Sequence, residues 1–175
     1  MYLQNLMIKK GIILAGGTGT RLSPLTKSVN KQLLPIHDKP MIFYPLSIMM
    51  LANIRKILMI VNPGQINNFK TLLGDGSRYG INNNYKIQDK PRGLPDAFNL
   101  GKSFINNENV ALILGDNFFY GQSLTQKLEK AKKHKSGATI FLKEVSTPEN
   151  YGVAKIRNKK IEKIIEKPKK FVSKN

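Results

Sequence analysis

The sequence predicts an α/β fold in which a mostly parallel sheet is covered by helices on both faces. Short apolar runs rich in β-branched residues alternate along the chain with segments whose apolar residues recur every three or four positions. The first pattern is typical of buried parallel strands, and the second of helices that pack on a sheet. Two of the apolar runs end in glycine-containing loops. Because ligands of such sheets bind beyond the carboxyl ends of the strands, we expect a binding site there.

The first half of the chain supplies two predicted strands and two predicted helices. KGIILA predicts a buried strand at about 10–15, and RKILMIVNP predicts a second strand that stops at its Asn-Pro pair. PMIFYPLSIMMLANI predicts a buried helix at about 41–52, in whose first turns a proline is tolerated. QINNFKTLL has apolar residues at helical spacing and predicts a helix that Gly74 ends.

The second half continues the alternation. NNYKIQ predicts a strand, LPDAFNLGKSFI predicts one helix at 94–105, and NVALIL predicts a third buried strand that ends at Gly115-Asp116. LTQKLEKAKKH predicts an amphipathic helix, and GATIFLKEV, at 137–145, predicts a further strand. YGVAKIRNKKIEKIIEKP predicts two short alternating strands around a polar turn at 157–159.

Composition excludes several classes of protein. The chain has 175 residues, enough for one domain of ordinary size. It contains no cysteine, which excludes a disulfide framework, a thiolate zinc site and a cysteine nucleophile. Its apolar runs are shorter than the roughly 18 residues of a membrane span, and its start lacks the order of a signal peptide. We therefore expect a cytoplasmic protein with no membrane partner.

The charge balance is strongly basic. Lys and Arg number 29 against 11 Asp and Glu, so the formal net charge is +18. Such a balance is compatible with a nucleic-acid partner. However, the lysines are spread along the chain, thicken only after residue 127, and are not accompanied by an aromatic RNA-binding signature or zinc-finger spacing. A solvated lysine-rich surface is the favoured interpretation, and nucleic-acid binding is the less favoured one.

The loop after the first predicted strand, ILAGGTGTRL, has the composition of a phosphate-binding loop. Glycines let backbone amides approach anionic oxygens closely, and Arg21 adds a charged fork. The dinucleotide motif G-x-G-x-x-G fails because Leu22 stands at its third glycine position, and no Walker G-x-x-x-x-G-K-[ST] run exists. The loop is either a triphosphate site of another type or a glycine turn with a surface arginine.

Two further positions have side chains suited to the same chemistry. Lys31-Gln32 precede an apolar stretch, and the lysine could bring a second positive charge to the phosphates. Asp116 directly follows a buried strand and suits Mg²⁺, which proteins hold by one or two carboxylates plus substrate phosphates. Taken singly, the lysine is one of many in the chain, and the aspartate could form a plain Asp-Asn turn.

Together these segments resemble the bacterial sugar nucleotidylyltransferases and, within them, the thymidylyl branch. The residues that carry the resemblance lie in the family's order over about 9–168: KGIILAGGTGTRLSPLT, KQLLPIHDKPMIFYPLSIMMLANIRKILMI, LLGDGSRYGI, LILGDNFFYG, YGVAKI and EKP. The resemblance implies a Rossmann-like three-layer α/β/α nucleotidyltransferase fold. It divides the chain into a short extension at 1–8, an incomplete nucleotidyltransferase domain at 9–168 and a basic tail at 169–175.

The resemblance also implies a reaction and its partners. Members of the thymidylyl branch couple dTTP to glucose 1-phosphate and release pyrophosphate, giving the dTDP-glucose used for dTDP-sugars and surface polysaccharide precursors. The sugar phosphate attacks the α-phosphorus in line, so catalysis is mainly positioning and charge stabilisation. Mg²⁺ is the implied cofactor, and the full-length family implies a homo-oligomer.

The resemblance assigns roles to residues at matching positions. Arg21, Lys31 and Asp116 would be catalytic, with Asp116 as the metal ligand. The sugar-phosphate side would be formed by Gly152, Glu166 and Lys167. The nucleotide would be bound by Leu14, Gly16, Gly17, Gly19, Thr20, Gln32, Gln88 and Gly93, with Gln88 and Gly93 reading the base.

Two departures from the family pattern bear most on function. The family usually has PDGLAQAF where this chain has PRGLPDAF, so that Arg92 replaces an acid and Pro95-Asp96 replace Ala-Gln, which leaves the base preference open. The family also continues beyond EKP, and its continuation supplies part of the sugar pocket, a second metal carboxylate and much of the subunit contact. We therefore expect a C-terminally truncated fold, and the alternative to an active enzyme is an inactive or partner-dependent nucleotide-binding fragment.

Overall fold

A computed structural model describes residues 7–17, 19–90, 92–133, 136–158, 160–169 and 172–174. The chain divides into two compact units, Met1–Lys135 and Ser136–Asn175. Within the described residues, no helix is both long enough and apolar enough to cross a membrane.

The first unit is built on a four-stranded sheet with a small hairpin and five helices. In chain order its elements are β1 (Lys10–Ala15), β2 (Pro35–Ile36), β3 (Lys39–Pro40), α1 (Phe43–Leu51), β4 (Lys56–Val61), α2 (Ile66–Leu73), β5 (Asn82–Ile87), α3 (Pro95–Leu100), α4 (Lys102–Ile105), β6 (Val110–Leu114) and α5 (Leu124–Lys132). Between β1 and β2 the chain forms three 3-10 turns, at Thr20–Leu22, Leu25–Lys27 and Lys31–Leu33.

The sheet has the strand order β5-β4-β1-β6, and every neighbouring pair is parallel. All four strands were predicted, three from apolar runs and β5 from the segment NNYKIQ, and the parallel arrangement confirms the predicted fold class. β1 lies between β4 and β6, so its residues are covered on both sides by sheet neighbours and on both faces by helices. The carboxyl ends of the four strands therefore meet at one edge of the sheet, where β1 and β6 lead into the glycine loop and Asp116.

The two faces of the sheet bury different residues because side chains alternate along a strand. Ile13 and Met59 face the larger core, in which Phe69 of α2 and residues of α1 and α5 are also buried. Ile12 and Leu58 face a smaller core that they share with α3. Burying each such side chain contributes about 1.5–3 kcal/mol, so the helices on both faces stabilise the strands whose ends form the site.

One helical prediction differs in detail from the structure, and another is confirmed. The helix predicted at 94–105 is two short helices, α3 and α4, separated at Gly101. Glycine has a low helix propensity, and a Cβ at Gly101 would lie 3.0 Å from Ile12 Cδ1 and 3.0 Å from the carbonyl oxygen of Ala97. Gly101 therefore allows the sheet to approach the backbone closely at this point, and the helix is interrupted there. The C-terminal residue predicted for the preceding helix is confirmed, since Gly74 caps α2 with a φ of 58°.

The second unit contains one antiparallel hairpin. Its strands β7 (Gly152–Arg157) and β8 (Lys160–Glu166) confirm the pair of strands predicted from alternation, although Lys159 of the predicted turn lies outside the described residues. Ser173 Oγ donates a hydrogen bond of 2.8 Å to the carbonyl oxygen of Ala154. The residues after the hairpin therefore return to pack beside β7.

The strand predicted at 137–145 is wrong. The described residues of this segment form no strand, and Ile140, Phe141 and Leu142 are exposed. An apolar run becomes a strand only where a neighbouring strand accepts and donates its backbone hydrogen bonds. The Val145 amide donates a hydrogen bond of 2.9 Å to the carbonyl oxygen of Lys174, which is not part of a strand.

Candidate active site

The glycine loop after β1 is fixed by a side chain from the neighbouring strand. Asn62 directly follows β4, and its Oδ1 accepts a hydrogen bond of 3.1 Å from the Gly17 amide. Its Nδ2 donates in return to the Gly17 carbonyl oxygen at 2.8 Å. Gly17 has a φ of 104°, which glycine adopts without steric cost. Asn62 thus holds the loop in a conformation that brings its backbone to the edge of the sheet.

Gly16 lies where a larger residue would collide with two polar side chains. A Cβ at this position would be 3.1 Å from Gln88 Oε1 and 3.2 Å from Asn62 Oδ1. The absence of a side chain therefore lets the Gln88 amide approach the loop backbone. This places a predicted base-reading residue next to a predicted phosphate-binding loop.

The second part of the loop is held by Thr26. Thr26 Oγ1 donates a hydrogen bond of 2.9 Å to the carbonyl oxygen of Gly19, and a Cβ at Gly19 would lie 2.8 Å from Thr26 Cγ2. Gly19 has a φ of 59° and begins the 3-10 turn that contains Thr20 and Arg21, both exposed. The predicted anion-binding arginine is thus carried on an ordered turn and faces solvent.

Lys31 and Asp116, which are 85 residues apart, form an ion pair. Lys31 Nζ lies 2.7 Å from Asp116 Oδ2, and the two side chains are 29% and 35% exposed. Asn30 caps the 3-10 turn of Lys31, because its Oδ1 accepts a hydrogen bond of 2.9 Å from the Gln32 amide. An ion pair with this exposure is worth at most about 1 kcal/mol, so phosphate or a cation can compete for either partner.

Gln32 has an acceptor that the protein does not use. The residue is 3% exposed, and its Nε2 donates a hydrogen bond of 3.2 Å to the carbonyl oxygen of Gly16. Among the described residues, no group donates to its Oε1. A Cβ at Gly115 would lie 2.8 Å from Gln32 Cγ, so that glycine provides the space for the side chain. A buried unpaired oxygen at the edge of a cavity is suited to accept a hydrogen bond from a ligand.

Gln88, at the end of β5, is bound by an acid from α3. Gln88 Nε2 donates a hydrogen bond of 2.9 Å to Asp96 Oδ2, and both side chains are buried. The other oxygen of Asp96 lies 3.8 Å from Arg92 Nη1, which is largely exposed. The two charged residues that depart from the family pattern therefore pair with each other, and one of them contacts the predicted base-reading side chain.

These groups surround one cavity of about 260 Å³, close to the lower limit for ligand pockets. Seven of the predicted site residues line it, together with two leucines that sequence reasoning missed. The lining residues are Leu14, Gly16, Gly17, Gln32, Gln88, Gly93, Leu94, Leu114 and Asp116. The combination of apolar walls, loop backbone, two amides and one carboxylate suits a polar molecule with a flat apolar part, such as a nucleotide.

Seven predicted site residues do not line this cavity. Four of them, Gly19, Thr20, Arg21 and Lys31, lie in the first unit. The other three lie in the second unit, at one end of the β7–β8 hairpin. Gly152 is paired with Glu166 in the strand register, and a Cβ at Gly152 would be 3.0 Å from Glu166 Oε2. The Lys167 amide donates a hydrogen bond of 2.8 Å to the carbonyl oxygen of Tyr151. The side chains of Glu166 and Lys167 are exposed, so the hairpin end presents one carboxylate and one ammonium group.

The site offers few metal ligands. In the part of the chain that the structure describes, no three residues among His, Cys, Asp and Glu come close enough to hold a metal ion. Asp116 is a single hard oxygen donor at the cavity edge. This donor set fits Mg²⁺, which retains water and phosphate oxygens and needs only one or two carboxylates, and does not fit a metal that requires a full protein cage.

Sequence reasoning missed the residues that hold the others in place. Asn62 was interpreted only as the end of a strand, Thr26 was given no part in the site, and Asp96 was noted only as a departure that leaves the base preference open. For Asn62 the sequence did contain a signal. Asn62 follows β4, which runs parallel to β1, so it must lie at the same sheet edge as the glycine loop. For Thr26 and Asp96 no spacing in the sequence indicates the contact.

Comparisons with known proteins show the family of the chain. A family model described as "Nucleotidyl transferase" matches residues 10–175. A glucose-1-phosphate thymidylyltransferase of Neisseria meningitidis is 55% identical over 92% of this chain and 56% of its own length. One from Mycolicibacterium smegmatis is 50% identical over 91% of this chain and 56% of its own. The chain therefore spans about half the length of the curated relatives it matches.

Solved structures show the same fold. A Bacillus anthracis protein assigned as a glucose-1-phosphate thymidylyltransferase, in complex with sucrose, superposes with a TM-score of 0.87 at 40% identity. The superposition covers 94% of this chain and 67% of the Bacillus anthracis protein. A UDP-glucose pyrophosphorylase complexed with UDP-glucose superposes with a TM-score of 0.73 at 27% identity, with 93% of this chain covering 70% of that one.

Proposed function

The chain belongs to the nucleotidyl transferase family, and from this premise we propose that it transfers a thymidylyl group from dTTP to glucose 1-phosphate. The products are dTDP-glucose and pyrophosphate. The observation that carries the proposal is the cavity at the carboxyl ends of the parallel strands, where the glycine loop, Gln88 and Asp116 meet. Support for the substrates comes from the relatives, which are glucose-1-phosphate thymidylyltransferases.

The base binds at the Gln88 end of the cavity. An amide can both donate to and accept from the edge of thymine, and Gly93 leaves the base room to lie beside the loop. Leu14 and Leu94 supply apolar wall area for the ring. The unused oxygen of Gln32 is available to a hydroxyl or N–H donor of the nucleotide.

The triphosphate binds along the glycine loop. Backbone amides of the loop and the guanidinium of Arg21 approach its oxygens, and Lys31 neutralises charge on the α-phosphate and on the leaving pyrophosphate. An oxygen of the sugar phosphate forms a bond to the α-phosphorus while the bond from that phosphorus to the bridging oxygen breaks. The bridging oxygen leaves with the electron pair as pyrophosphate, so no covalent enzyme intermediate and no protein proton donor is needed.

Asp116 would hold Mg²⁺, which when bound supplies charge neutralisation and orients the triphosphate oxygens. In the structure, Lys31 Nζ forms an ion pair with this carboxylate, 2.7 Å from Asp116 Oδ2. The lysine must leave Asp116 when it turns to the phosphates. The ion pair therefore keeps both groups at the site in the absence of substrate.

The sugar phosphate is assigned to Gly152, Glu166 and Lys167, with the lysine on its phosphate and the glutamate on sugar hydroxyls. What supports the assignment is that the three residues lie together at one end of the hairpin with their charged groups exposed. We further propose that the reaction takes place in the cytoplasm and that the chain forms a homo-oligomer, the assembly that the resemblance to the full-length family implies.

A pyrophosphate-release assay tests the proposal. The chain is incubated with Mg²⁺, glucose 1-phosphate and each of dTTP, UTP, dCTP and ATP, and the same assay is run on Asp116→Asn. Asp38→Asn is the matched control, because it makes the same substitution at an exposed acid in the hairpin turn between β2 and β3. Release that requires both dTTP and glucose 1-phosphate, and that falls with the first variant only, is expected. Failure to bind dTTP at all would refute the proposal.

A second candidate function is a nucleotide-binding polypeptide that needs a partner chain. The observation that favours it is that the chain spans about half the length of its curated relatives. This candidate predicts that dTTP binds to the chain without release of pyrophosphate. Activity should then appear when a separate polypeptide that corresponds to the remaining half of a relative is added.

A further inference from the structure

The buried contact between Asp96 and Gln88 determines which way the glutamine amide faces. An ionised carboxylate only accepts hydrogen bonds, so the group of Gln88 that faces Asp96 must be its Nε2. The hydrogen bond is 2.9 Å long, and the two residues are 5% and 8% exposed. Turning the amide over would oppose two acceptor oxygens in a buried place, which is disfavoured by about tenfold to a hundredfold.

Because Nε2 faces Asp96, the carbonyl oxygen of the same amide faces away from it. Gln88 Oε1 lies 3.1 Å from the position that a Cβ of Gly16 would take, at the wall of the cavity. Arg92 lies 3.8 Å from the second oxygen of Asp96 and balances its charge from the solvent side. The cavity therefore presents an oriented acceptor to whatever ring lies beside the glycine loop.

We propose that Asp96 is a positioning residue that makes the site selective for bases with an imide N–H, the pyrimidine-2,4-diones thymine and uracil. This inference rests on the proposed function and specifies how its base is chosen. Thymine and uracil carry a proton on N3 that Gln88 Oε1 can accept. Cytosine has a lone pair at N3, which would oppose the fixed oxygen. An amide free to rotate would accommodate either base, so the selectivity depends on the acid behind the amide.

The test compares the affinities of dUTP and dCTP, which differ only at C4 and in the N3 proton. Isothermal titration calorimetry in Mg²⁺ gives both dissociation constants for the wild type and for Asp96→Asn. We expect the wild type to bind dUTP at least about tenfold more tightly than dCTP. The ratio should fall to about twofold or less in Asp96→Asn, whose amide can either donate or accept.

Two variants show whether the effect is specific. Asp96→Glu retains an acceptor-only group and should restore the selectivity, which a loss of local packing would not do. Asp89→Asn makes the same substitution at an exposed acid one residue after Gln88, and its ratio should equal that of the wild type. A ratio of affinities measured on one folded sample is insensitive to how much of the protein is folded.

The outcome separates this inference from the proposed function. A wild type without preference, or an Asp96→Asn variant as selective as the wild type, overturns the role of Asp96 even if pyrophosphate is released from dTTP. A selective wild type that loses its preference in Asp96→Asn supports the role even if the chain releases no pyrophosphate. If Asp96→Asn does not fold, the inference is tested instead by measuring the affinity of the wild type for N3-methylated dTTP. A loss of about tenfold or more relative to dTTP is expected, and equal affinity overturns the inference.

Discussion

Replacing Asn62 by alanine removes both hydrogen bonds that fix the glycine loop. The bonds join Asn62 to the amide and to the carbonyl oxygen of Gly17, at 3.1 and 2.8 Å. A hydrogen bond contributes about 0.5–1.5 kcal/mol net, and these two are solvent-accessible, so their joint contribution is about 1–2 kcal/mol. Gly17 is a glycine with a positive φ, and without the bonds its backbone gains conformations that no longer present the loop amides to an anion.

We therefore expect Asn62→Ala to bind dTTP about tenfold more weakly and to lose about 1 kcal/mol or more of unfolding free energy. Calorimetric titration with dTTP and urea unfolding give the two quantities. Asn68→Ala is the matched control, because Asn68 is exposed on α2 and its side chain donates a hydrogen bond to the nearby Gln65. The reasoning is refuted if Asn62→Ala binds dTTP as the wild type does, because the loop conformation would then not depend on the side chain.

Three further predictions concern the scaffold around the site. Gly115→Ala should lose about 1–3 kcal/mol of unfolding free energy and weaken dTTP binding, because its Cβ would lie 2.8 Å from Gln32 Cγ; unchanged urea unfolding would contradict this. Phe69→Ala should lose about 3–5 kcal/mol in the same measurement, because the ring is fully buried under the sheet, and a loss below 1 kcal/mol would show that the core is not packed as described. The hydrogen bond from Lys10 holds the pKa of Glu108 below its ordinary value of about 4.5, so its stabilising contribution is present above that pH and is lost as the pH falls through the lowered pKa. The difference in stability between wild type and Glu108→Gln should thus shrink between pH 6 and about pH 3, and a difference independent of pH would contradict the assignment.

The sheet was predictable because three of its four strands are apolar runs in the local sequence, while the edge strand β5 was predicted from NNYKIQ. Three short runs carry apolar residues on both faces: KGIILA, KILMIV and VALIL. This pattern is typical of a strand that is buried between two layers of helices. The same logic failed at 137–145, a segment that also contains an apolar run, IFL. Whether such a run is a strand depends on a partner elsewhere in the chain, and composition carries no information about the partner.

The site was predictable to the extent that it follows from strand ends. The glycine loop and Asp116 both follow buried strands, and parallel strands bring their carboxyl ends to one edge. The ion pair of Lys31 with Asp116 and the cavity beside them are consistent with that expectation. The roles of the individual residues were taken from the family resemblance and stay predictions until they are measured.

By itself, the sequence determined the four strands of the parallel sheet and their alternation with helices, because hydrophobic periodicity is a local property of the chain. Only the tertiary structure decided that Asn62 holds Gly17 and that Asp96 faces the amide of Gln88. Each of these contacts joins different elements of the fold, and a hydrogen bond is formed only within about 3 Å and in the right direction. Positions that are distant in sequence meet that condition through packing, so the conformation of the loop and the orientation of the amide are properties of the folded chain alone.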